Sequence, residues 1–328
     1  MKDYYIFKGG RISRSQNTVL VTSKDNEKKS IAVMDIRALH IFGQCDFNSA
    51  LISFLNTKGI SMHFYNYYGN YCGSYYPREK LLSGTVIVNQ ADHYLDKNKR
   101  INIATEIIKT SVHNMLANLQ YYKTKKKAVT EHIEKIRSLA SQIDKCNKID
   151  ELMGIEGNCR NVYYESFDVF LRDGFKIEKR TRMPPQNRIN ALISFGNSMM
   201  YSTVLTEIYQ SQLNSTISYL HEPGSRRHSL SLDLAEVFKP IIVDKTIFKI
   251  VNSRIVAEDD FDKFLNWCYL SEAGRKSFVK EYDEKLDSTV YVSSLKRDVS
   301  YRRLIRMECH KLVKHLIEGI QYKGFRQR

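Results

Sequence analysis

The stretch INIATEIIKTSVHNMLANL, from Ile101 to Leu119, decides the architecture of the larger part of this 328-residue chain. Its apolar side chains recur at multiples of three to four residues, the period of an α-helix with one buried face. They are Ile101, Ala104, Ile108, Met115 and Leu119. Helical patterns continue beyond it, and no strand-helix alternation appears, which argues against a parallel α/β sheet. We therefore predict an all-α domain over residues 91–328.

Residues 1–76 have the opposite character. Short runs rich in β-branched and aromatic residues are separated by turn-forming sequences, as strands are. These runs are Tyr4–Phe7, Thr18–Thr22 and Ser30–Met34. Pro77 and Gly84 then bracket a charged segment, which indicates a linker over 77–90. The predicted fold class is α+β, with a small β-rich N-terminal domain over 1–76 followed by the larger all-α domain.

The composition favours a polyanionic partner. The chain has 51 basic and 36 acidic side chains, a formal net charge of +15, and 21 tyrosines whose rings could stack on unpaired bases. A basic protein that is merely soluble is the alternative. Since there is no run of about 18 apolar residues and no apolar signal core near Met1, we expect a cytoplasmic protein without a membrane span.

Missing motifs exclude two classes of site. The six cysteines are scattered without a CxxC pair, so a structural zinc site is not expected. No Walker or GxGxxG pattern occurs either, and nothing in the sequence therefore indicates a bound nucleotide.

A first candidate for chemistry is Glu156, in a segment of helical period between Gly154 and Gly157. A glycine inside a helix costs about 1 kcal/mol relative to alanine, so two beside a carboxylate suggest close approach by a DNA backbone or a packed helix. Arg160 follows four residues later. On the residues alone, a surface Glu156–Arg160 pair worth a few tenths of a kcal/mol is the favoured alternative.

A second candidate is His221, followed by Glu222, Pro223 and Gly224. Because proline cannot continue a helix, this pattern predicts a histidine at a helix end, from which it could project into a cleft. A core or capping histidine is the more common alternative, and His228 competes for any role given to His221.

Glu236 and Asp233 stand three residues apart in a short helical stretch closed by Pro240, so they share one face. Glu156, His221 and Glu236 together could hold a hard divalent ion, Mg²⁺ or Mn²⁺, and leave positions open for a phosphate. Asp233 could orient a ligand or a metal-bound water instead of binding directly. A solvated acidic face is the alternative.

Basic residues near these segments are candidates for phosphate contacts. Arg226 and Arg227 lie between the two later site segments, and arginine binds phosphate through two parallel hydrogen bonds. Arg302, Arg303 and Arg306 belong to an amphipathic helical pattern whose exposed face could follow a DNA strand. The last four residues, 325–328, are predicted to form a flexible basic tail.

Several of these segments resemble the CRISPR-associated integrase of spacer acquisition, the larger of the two adaptation proteins. They are Met153–Asn158, Tyr219–Gly224 and Ser231–Pro240, together with Met183–Gln186, Asn190–Gly196 and Ser300–Arg306. The likeness covers most of the chain from about Ala91 onward and is weaker over the first eighty residues.

The resemblance implies a metal-dependent DNA integrase and endonuclease that inserts short DNA fragments into a CRISPR array by transesterification. Glu156, His221 and Glu236 match the family's metal ligands, and Asp233 matches a neighbouring acid. The family's pattern further implies a homodimer formed through the β-rich domain and a small ferredoxin-like adaptation protein as partner.

Two rival hypotheses remain at this point. One is a structure-specific nucleic-acid-binding module without chemistry of its own. The other is a simple metal-dependent DNA nuclease, which would use the same site but cut DNA without joining it.

Overall fold

The computed structural model describes residues 1–78, 81–177, 179–181, 184–224, 228–264 and 267–327. The chain divides into two compact units, Met1–Lys80 and Leu81–Arg328. Arg226, Arg227 and Arg328, which the sequence marks as basic candidates, lie outside the described residues.

The first unit is built from β-strands and one α-helix. Its elements are β1 (Lys2–Ile6), β2 (Gly10–Ser15), β3 (Thr18–Ser23), β4 (Lys28–Ala32), β5 (Ile36–Ile41), β6 (Cys45–Phe47), α1 (Ser49–Lys58), β7 (Ser61–Tyr65) and β8 (Tyr71–Tyr75). One sheet has the order β1-β5-β7-β8 and the other β4-β3-β2-β6. In the first sheet β5 is parallel to β1 and to β7, while β8 is antiparallel to β7.

The core of this unit is formed by alternate strand residues. Ile12, Leu39 and Met62 are fully buried, together with Leu51 of α1. Asn48 caps α1 by accepting from the Leu51 N–H, and Gly59 ends the helix at φ 70°, a left-handed conformation that glycine adopts without strain. The strands and this helix confirm the β-rich character predicted for the N-terminal region.

The second unit is mainly helical. Its helices are α2 (Gly84–Leu95), α3 (Lys97–Thr124), α4 (Thr130–Ala140), α5 (Ile149–Glu165), α6 (Phe167–Phe170), α7 (Arg188–Tyr209), α8 (Ser229–Phe238), α9 (Lys245–Asn252), α10 (Glu272–Asp287) and α11 (Tyr301–Glu318). A π-helical turn, Lys239–Asp244, joins α8 to α9. Within the ranges the structure describes, no helix is long and apolar enough to cross a membrane.

The prediction of an all-α second domain was wrong in detail. Two antiparallel hairpins interrupt the helices: β9 (Phe261–Phe264) with β10 (Trp267–Leu270), and β11 (Thr289–Val292) with β12 (Arg297–Ser300). Each strand has four residues, which is too short for alternation to stand out from the helical pattern around it. The fold class is therefore α+β with a mainly helical second unit.

Two further details differ from the sequence analysis. The helix α2 begins at Gly84, inside the expected linker, because Ser83 caps it and a glycine in the first turn is tolerated. The predicted flexible tail is instead packed against the second unit: Phe325 stacks on Phe238, and Gln327 is 6% exposed. These contacts were not predicted, because the last residues of the chain are mostly polar and basic and have no pattern that indicates burial.

Candidate active site

The centre of the candidate site is the buried guanidinium of Arg160, which joins the two predicted carboxylates. Arg160 lies on α5 one turn after Glu156, and its Nε donates to Glu156 Oε1 at 2.5 Å. Its Nη2 donates to Glu236 Oε2 of α8 and, at 3.3 Å, to Ser111 Oγ of α3. Since Arg160 is 8% exposed, the pair that the sequence suggested as a surface contact is buried and connects three helices.

Glu236 has a second cationic partner. Lys239 Nζ donates to its Oε1, and the same ammonium lies 4.8 Å from the centre of the Tyr201 ring. Burial raises the pKa of Glu236, but Arg160, then Lys239 and His221, lower it to about 2. Glu236 is therefore an anion at neutral pH although it is only 5% exposed.

The π-helical turn determines which residues after α8 face the site. Pro240 has no N–H, so the Glu236 carbonyl receives no helical bond from that position and the ladder cannot continue as an α-helix. The turn brings Asp244 into the charged cluster, where burial raises its pKa to about 7 against the lowering effect of Arg160. Its Oδ2 has no hydrogen-bond partner among the described residues.

His221 is held by Asp233, which lies one turn before Glu236 on α8. The Asp233 carboxylate accepts from the backbone N–H groups of Tyr219, Leu220 and His221 at 2.6–3.0 Å and from His221 Nδ1 at 2.8 Å. A carboxylate of this kind only accepts, so Nδ1 carries the proton and Nε2 keeps its lone pair for a ligand. Asp233 thus orients the histidine and is itself fully buried.

The loop that carries His221 is anchored to the preceding helices. Arg100 of α3 donates to the Tyr219 carbonyl at 2.9 Å and to Glu222 Oε1 at 2.6 Å. Tyr94 of α2 donates to the other oxygen of Glu222 at 2.9 Å. Glu222, the residue that follows His221, therefore anchors the loop to α2 and α3, a role that the sequence did not indicate.

The expected helix end at His221 was wrong, because the histidine lies in the loop between α7 and α8. Pro223 prevents a helix there, but the Asp233 carboxylate, which replaces helical partners for three N–H groups, could not be seen in sequence. His228, the competing histidine, stands at the start of α8 and contacts Ser215 Oγ at 2.9 Å.

The three predicted ligands thus lie around one charged cluster, but they are not arranged as a metal-binding site. Within the described ranges, no three His, Cys, Asp or Glu side chains converge closely enough to hold a metal ion. Arg160 bonds to both Glu156 and Glu236, and its own Nη1 is buried without a partner among those residues.

The predicted DNA-contact arginines of α11 differ in their surroundings. Arg302 is 8% exposed and pairs with Asp283 and Asp287, so it does not belong to an open basic face. Arg306 pairs with the buried Glu207 at 2.6 Å but keeps part of its side chain in solvent. Arg303 is exposed. The amphipathic pattern located the helix but could not show these intramolecular pairs.

Sequence reasoning missed two charged members of the cluster. Lys239 has a signal in its spacing, since it follows Glu236 by three residues and so shares its face. Asp244 was missed because it reaches the cluster at the end of a π-helical turn, which the sequence did not predict.

Comparison with known proteins gives this cluster its context. The family model described as CRISPR associated protein Cas1 matches residues 4–284. The chain belongs to the Cas1 family. It is similar to the CRISPR-associated endonuclease Cas1 3 of Thermodesulfovibrio yellowstonii, with 48% identity over 326 residues that cover 99% of each chain.

Solved structures agree with this assignment. A Cas1 protein from Thermotoga maritima matches with a TM-score of 0.88 and 41% identity, over 99% of this chain and all of its own. A chain of the Cas6-RT-Cas1–Cas2 complex shares the fold, with a TM-score of 0.86 at 19% identity, over 100% of this chain and 36% of its own. The predictions of the α+β fold and of a Cas1 endonuclease and integrase of spacer acquisition are confirmed, which sets the pure binding module aside.

The Asp233 contacts predict a loss of stability when the carboxylate is removed. Asp233→Ala removes the acceptor of three buried N–H groups, and each one left unsatisfied costs about 1–3 kcal/mol. We expect the free energy of unfolding to fall by at least about 3 kcal/mol in urea titration. Asp173→Ala, at an exposed position, is the control and should change little. Equal stability of the Asp233→Ala and Asp173→Ala variants would contradict the stabilising role of the Asp233 carboxylate.

The glycines beside Glu156 give a second prediction. A Cβ at Gly157 would meet no described atom within 4 Å, whereas one at Gly196 would lie 2.5 Å from Val243 Cγ1. Gly157→Ala should therefore stabilise the protein by up to about 1 kcal/mol through helix propensity. Gly196→Ala should destabilise it through overpacking. Thermal unfolding compares the two, and a loss of stability in Gly157→Ala would show that this face is not open.

Proposed function

We propose that Glu156, Glu236 and Nε2 of His221 hold a divalent cation, Mg²⁺ or Mn²⁺, at which this Cas1 protein joins DNA ends to a target strand. The observation that carries the proposal is the convergence of both carboxylates on Arg160, with His221 oriented beside Glu236 by Asp233. The three side chains come from three separate segments: α5, the loop between α7 and α8, and α8.

The chemistry of the donor set fits such an ion. Two carboxylates and one imidazole suit hard or intermediate divalent metals better than soft ones. The His221 tautomer leaves the correct nitrogen for coordination. Arg160 and Lys239 now balance the charge of the carboxylates, and the unpartnered Nη1 of Arg160 supplies a donor suited to a phosphate or water oxygen.

In the proposed reaction, the 3′-hydroxyl oxygen of a DNA fragment forms a bond to a target phosphorus while the target's own 3′-oxygen leaves. One phosphodiester replaces another, and the hydroxyl proton ends on the released oxygen or in solvent, so no nucleotide hydrolysis is required. When bound, the metal supplies positive charge that neutralises the phosphate and lowers the hydroxyl pKa.

The protein's own residues would prepare this exchange. Arg160 has one buried guanidinium nitrogen, Nη1, without a partner among the described residues, and it would donate to a non-bridging phosphate oxygen once substrate binding opens a path to it. Asp233 keeps His221 in one tautomer and one orientation. Glu236 stays ionised because Arg160, Lys239 and His221 lower its pKa.

DNA binding would depend on the basic surface. The net charge of +15 favours phosphate contacts. Of the three candidate arginines of α11, Arg303 and the exposed part of Arg306 remain available for such contacts, whereas Arg302 is paired with two aspartates. Arg226 and Arg227 are proposed on sequence grounds alone. The open α5 face at Gly154 and Gly157 leaves room for a DNA backbone beside Glu156.

Two assembly features belong to the same proposal. We expect a homodimer formed through the β-rich unit and a complex with a small ferredoxin-like adaptation protein. The presence of Cas1 with Cas2 in the Cas6-RT-Cas1–Cas2 complex supports a partner of this kind, since a chain of that complex has the same fold.

A strand-transfer assay tests the ligand set. The wild-type protein, with Mn²⁺ and the small partner, should join a labelled duplex with free 3′-ends to supercoiled plasmid. His221→Ala should reduce joining by at least about 100-fold, because even groups that only support a metal ligand are worth about 10–100-fold. His310→Ala, an exposed histidine of α11, is the matched control.

The products separate the alternatives. Chelation should stop the wild-type reaction and leave DNA binding in place. Nicks without joined label would favour the simple nuclease. Full joining by His221→Ala would remove that residue from the proposed ligand set.

The basic surface makes its own prediction. Arg303→Ala should weaken duplex binding and reduce the slope of log K against log salt by about 1, as expected for one lost phosphate contact. Arg302→Ala should instead lower stability through its lost pairs with Asp283 and Asp287, with the salt slope unchanged. Fluorescence anisotropy at several salt concentrations measures both. A reduced salt slope for Arg302→Ala with an unchanged slope for Arg303→Ala would show that Arg302 is the DNA contact.

A further inference from the structure

The segment of residues 319–327, here called the strap, has no helix or strand but is firmly packed. Tyr322 is 3% exposed and donates to Glu308 Oε1 at 2.7 Å. Gly324 passes so close to α3 that a Cβ would lie 2.4 Å from Thr110 Oγ1. Phe325 stacks on Phe238, the last residue of α8. The strap therefore lies against the helix that carries Asp233 and Glu236.

The end of the strap inserts one amide side chain between two asparagines of α3. Gln327 Nε2 donates to the Asn114 carbonyl at 2.7 Å and to Asn118 Oδ1 at 3.0 Å, and its backbone N–H donates to Asn114 Oδ1 at 2.9 Å. Lys245 Nζ donates to Gln327 Oε1 at 2.5 Å. Because an ammonium only donates, this contact fixes which end of the Gln327 amide faces Lys245.

The two asparagines pass this constraint to the site. Asn114 Nδ2 donates to the Val237 carbonyl at 3.0 Å, and Asn118 Nδ2 donates to the Pro240 carbonyl at 2.8 Å. These carbonyls belong to the first and the fourth residue after Glu236, and Lys239 lies between them in the chain. Asn118 Nδ2 also donates to Tyr163 Oη of α5 at 2.8 Å, on the helix that carries Glu156 and Arg160.

We propose that Asn114, Asn118 and Gln327 form an amide brace whose function is to position Glu236 and Lys239, so that the strap acts as a positioning element of the metal site. The inference rests on the proposed function for its consequence, metal affinity, but its mechanical part stands independently. In the brace Asn114 donates to the Val237 carbonyl of α8, Asn118 donates to the Pro240 carbonyl of the turn, and both accept from Gln327.

The physical reason for such a brace lies in Pro240. A helix interrupted by proline loses part of its internal hydrogen bonding, and the turn that follows needs partners from elsewhere. The two asparagines bond from α3 to the carbonyls of Val237 and Pro240, and so restrain the chain where the regular helix ends. A site whose charged groups must meet within a fraction of an ångström depends on this kind of support.

The experiment uses the full chain and two substitutions at one position. Gln327→Ala removes the amide, and Gln327→Glu keeps the size and the acceptor for Lys245 but removes the donor to Asn114 and Asn118. Gln321→Ala, an exposed position of the same strap, is the matched control. Two readouts are compared: amide hydrogen exchange over residues 236–244 without metal, and Mn²⁺ affinity by electron paramagnetic resonance.

Both Gln327 variants should exchange faster over 236–244 and bind Mn²⁺ about tenfold more weakly, the size typical of groups that support a metal ligand. The control should match the wild type in both. A general loss of packing would raise exchange in α10 and α4 as well, whereas the brace predicts an effect centred on the turn. Activity at saturating Mn²⁺ should recover in the variants, which separates weakened metal binding from loss of DNA binding.

Unchanged exchange and unchanged Mn²⁺ affinity in folded Gln327 variants would overturn the inference. If the wild type binds no Mn²⁺ while exchange still rises in the variants, the proposed ligand set fails and the mechanical role of the brace stands. Should the Gln327 variants not fold, Lys245→Met decides the question. It removes only the ammonium that orients the Gln327 amide. We expect smaller changes of the same sign in amide exchange over residues 236–244 and in Mn²⁺ affinity. Unchanged exchange over these residues would count against the brace.

Discussion

The interaction on which the rest of the site depends is the contact of one buried guanidinium with two carboxylates. Without Arg160, Glu156 and Glu236 would be like charges in a medium where unit charges a few ångströms apart repel by about 4 kcal/mol at an effective dielectric of about 20. Removing one member of a buried pair is costly for the same reason, about 3–5 kcal/mol. Arg160 therefore connects α5 to α8 and helps to keep Glu236 ionised in the absence of metal.

A second constraint acts on the opposite side of Glu236. The N–H missing from Pro240 interrupts the α-helix, and Lys239, the first residue of the π-helical turn, pairs with the Glu236 carboxylate. A regular helix would satisfy its own carbonyls, but here Asn114 and Asn118 take over part of that role from α3. The interruption of the helix by proline is thus part of what positions the charged side chains of the site.

The parts of this structure that could be predicted are those that depend on local pattern. The apolar period from Ile101 to Leu119 falls within α3, and the β-rich character of the N-terminal region is equally visible. Glu156, His221 and Glu236 are proposed as ligands because of the family resemblance, since the alternatives on the residues alone are a surface pair for Glu156, a core or capping histidine for His221 and a solvated acidic face for Glu236. The loop position of His221, the presence of Asp244 in the charged cluster and the pairing of Arg302 could not be predicted from the sequence, because each depends on partners that are distant in sequence.

The strap shows the same limit most clearly. A polar and basic ending satisfies every local criterion for a flexible tail, and no periodicity marks Gln327 as buried. Its position follows from hydrogen-bond groups on α3, more than 200 residues earlier, that require both a donor and an acceptor. Buried amides of this kind are costly when unsatisfied, so the asparagines and the glutamine stabilise one another and none is explained alone.

The charges of the cluster also limit what it can bind. Glu156 and Glu236 already have Arg160 and Lys239 as cationic partners, so a divalent cation on the proposed ligand set would add two positive charges beside these two buried cations. An anionic phosphate offsets that excess, and Arg160 already offers it an unpartnered donor. Metal and DNA would then each strengthen the binding of the other by the same factor, as linkage requires. On this argument the two basic residues are part of the mechanism: they keep the metal-free site folded and make full occupancy depend on the substrate.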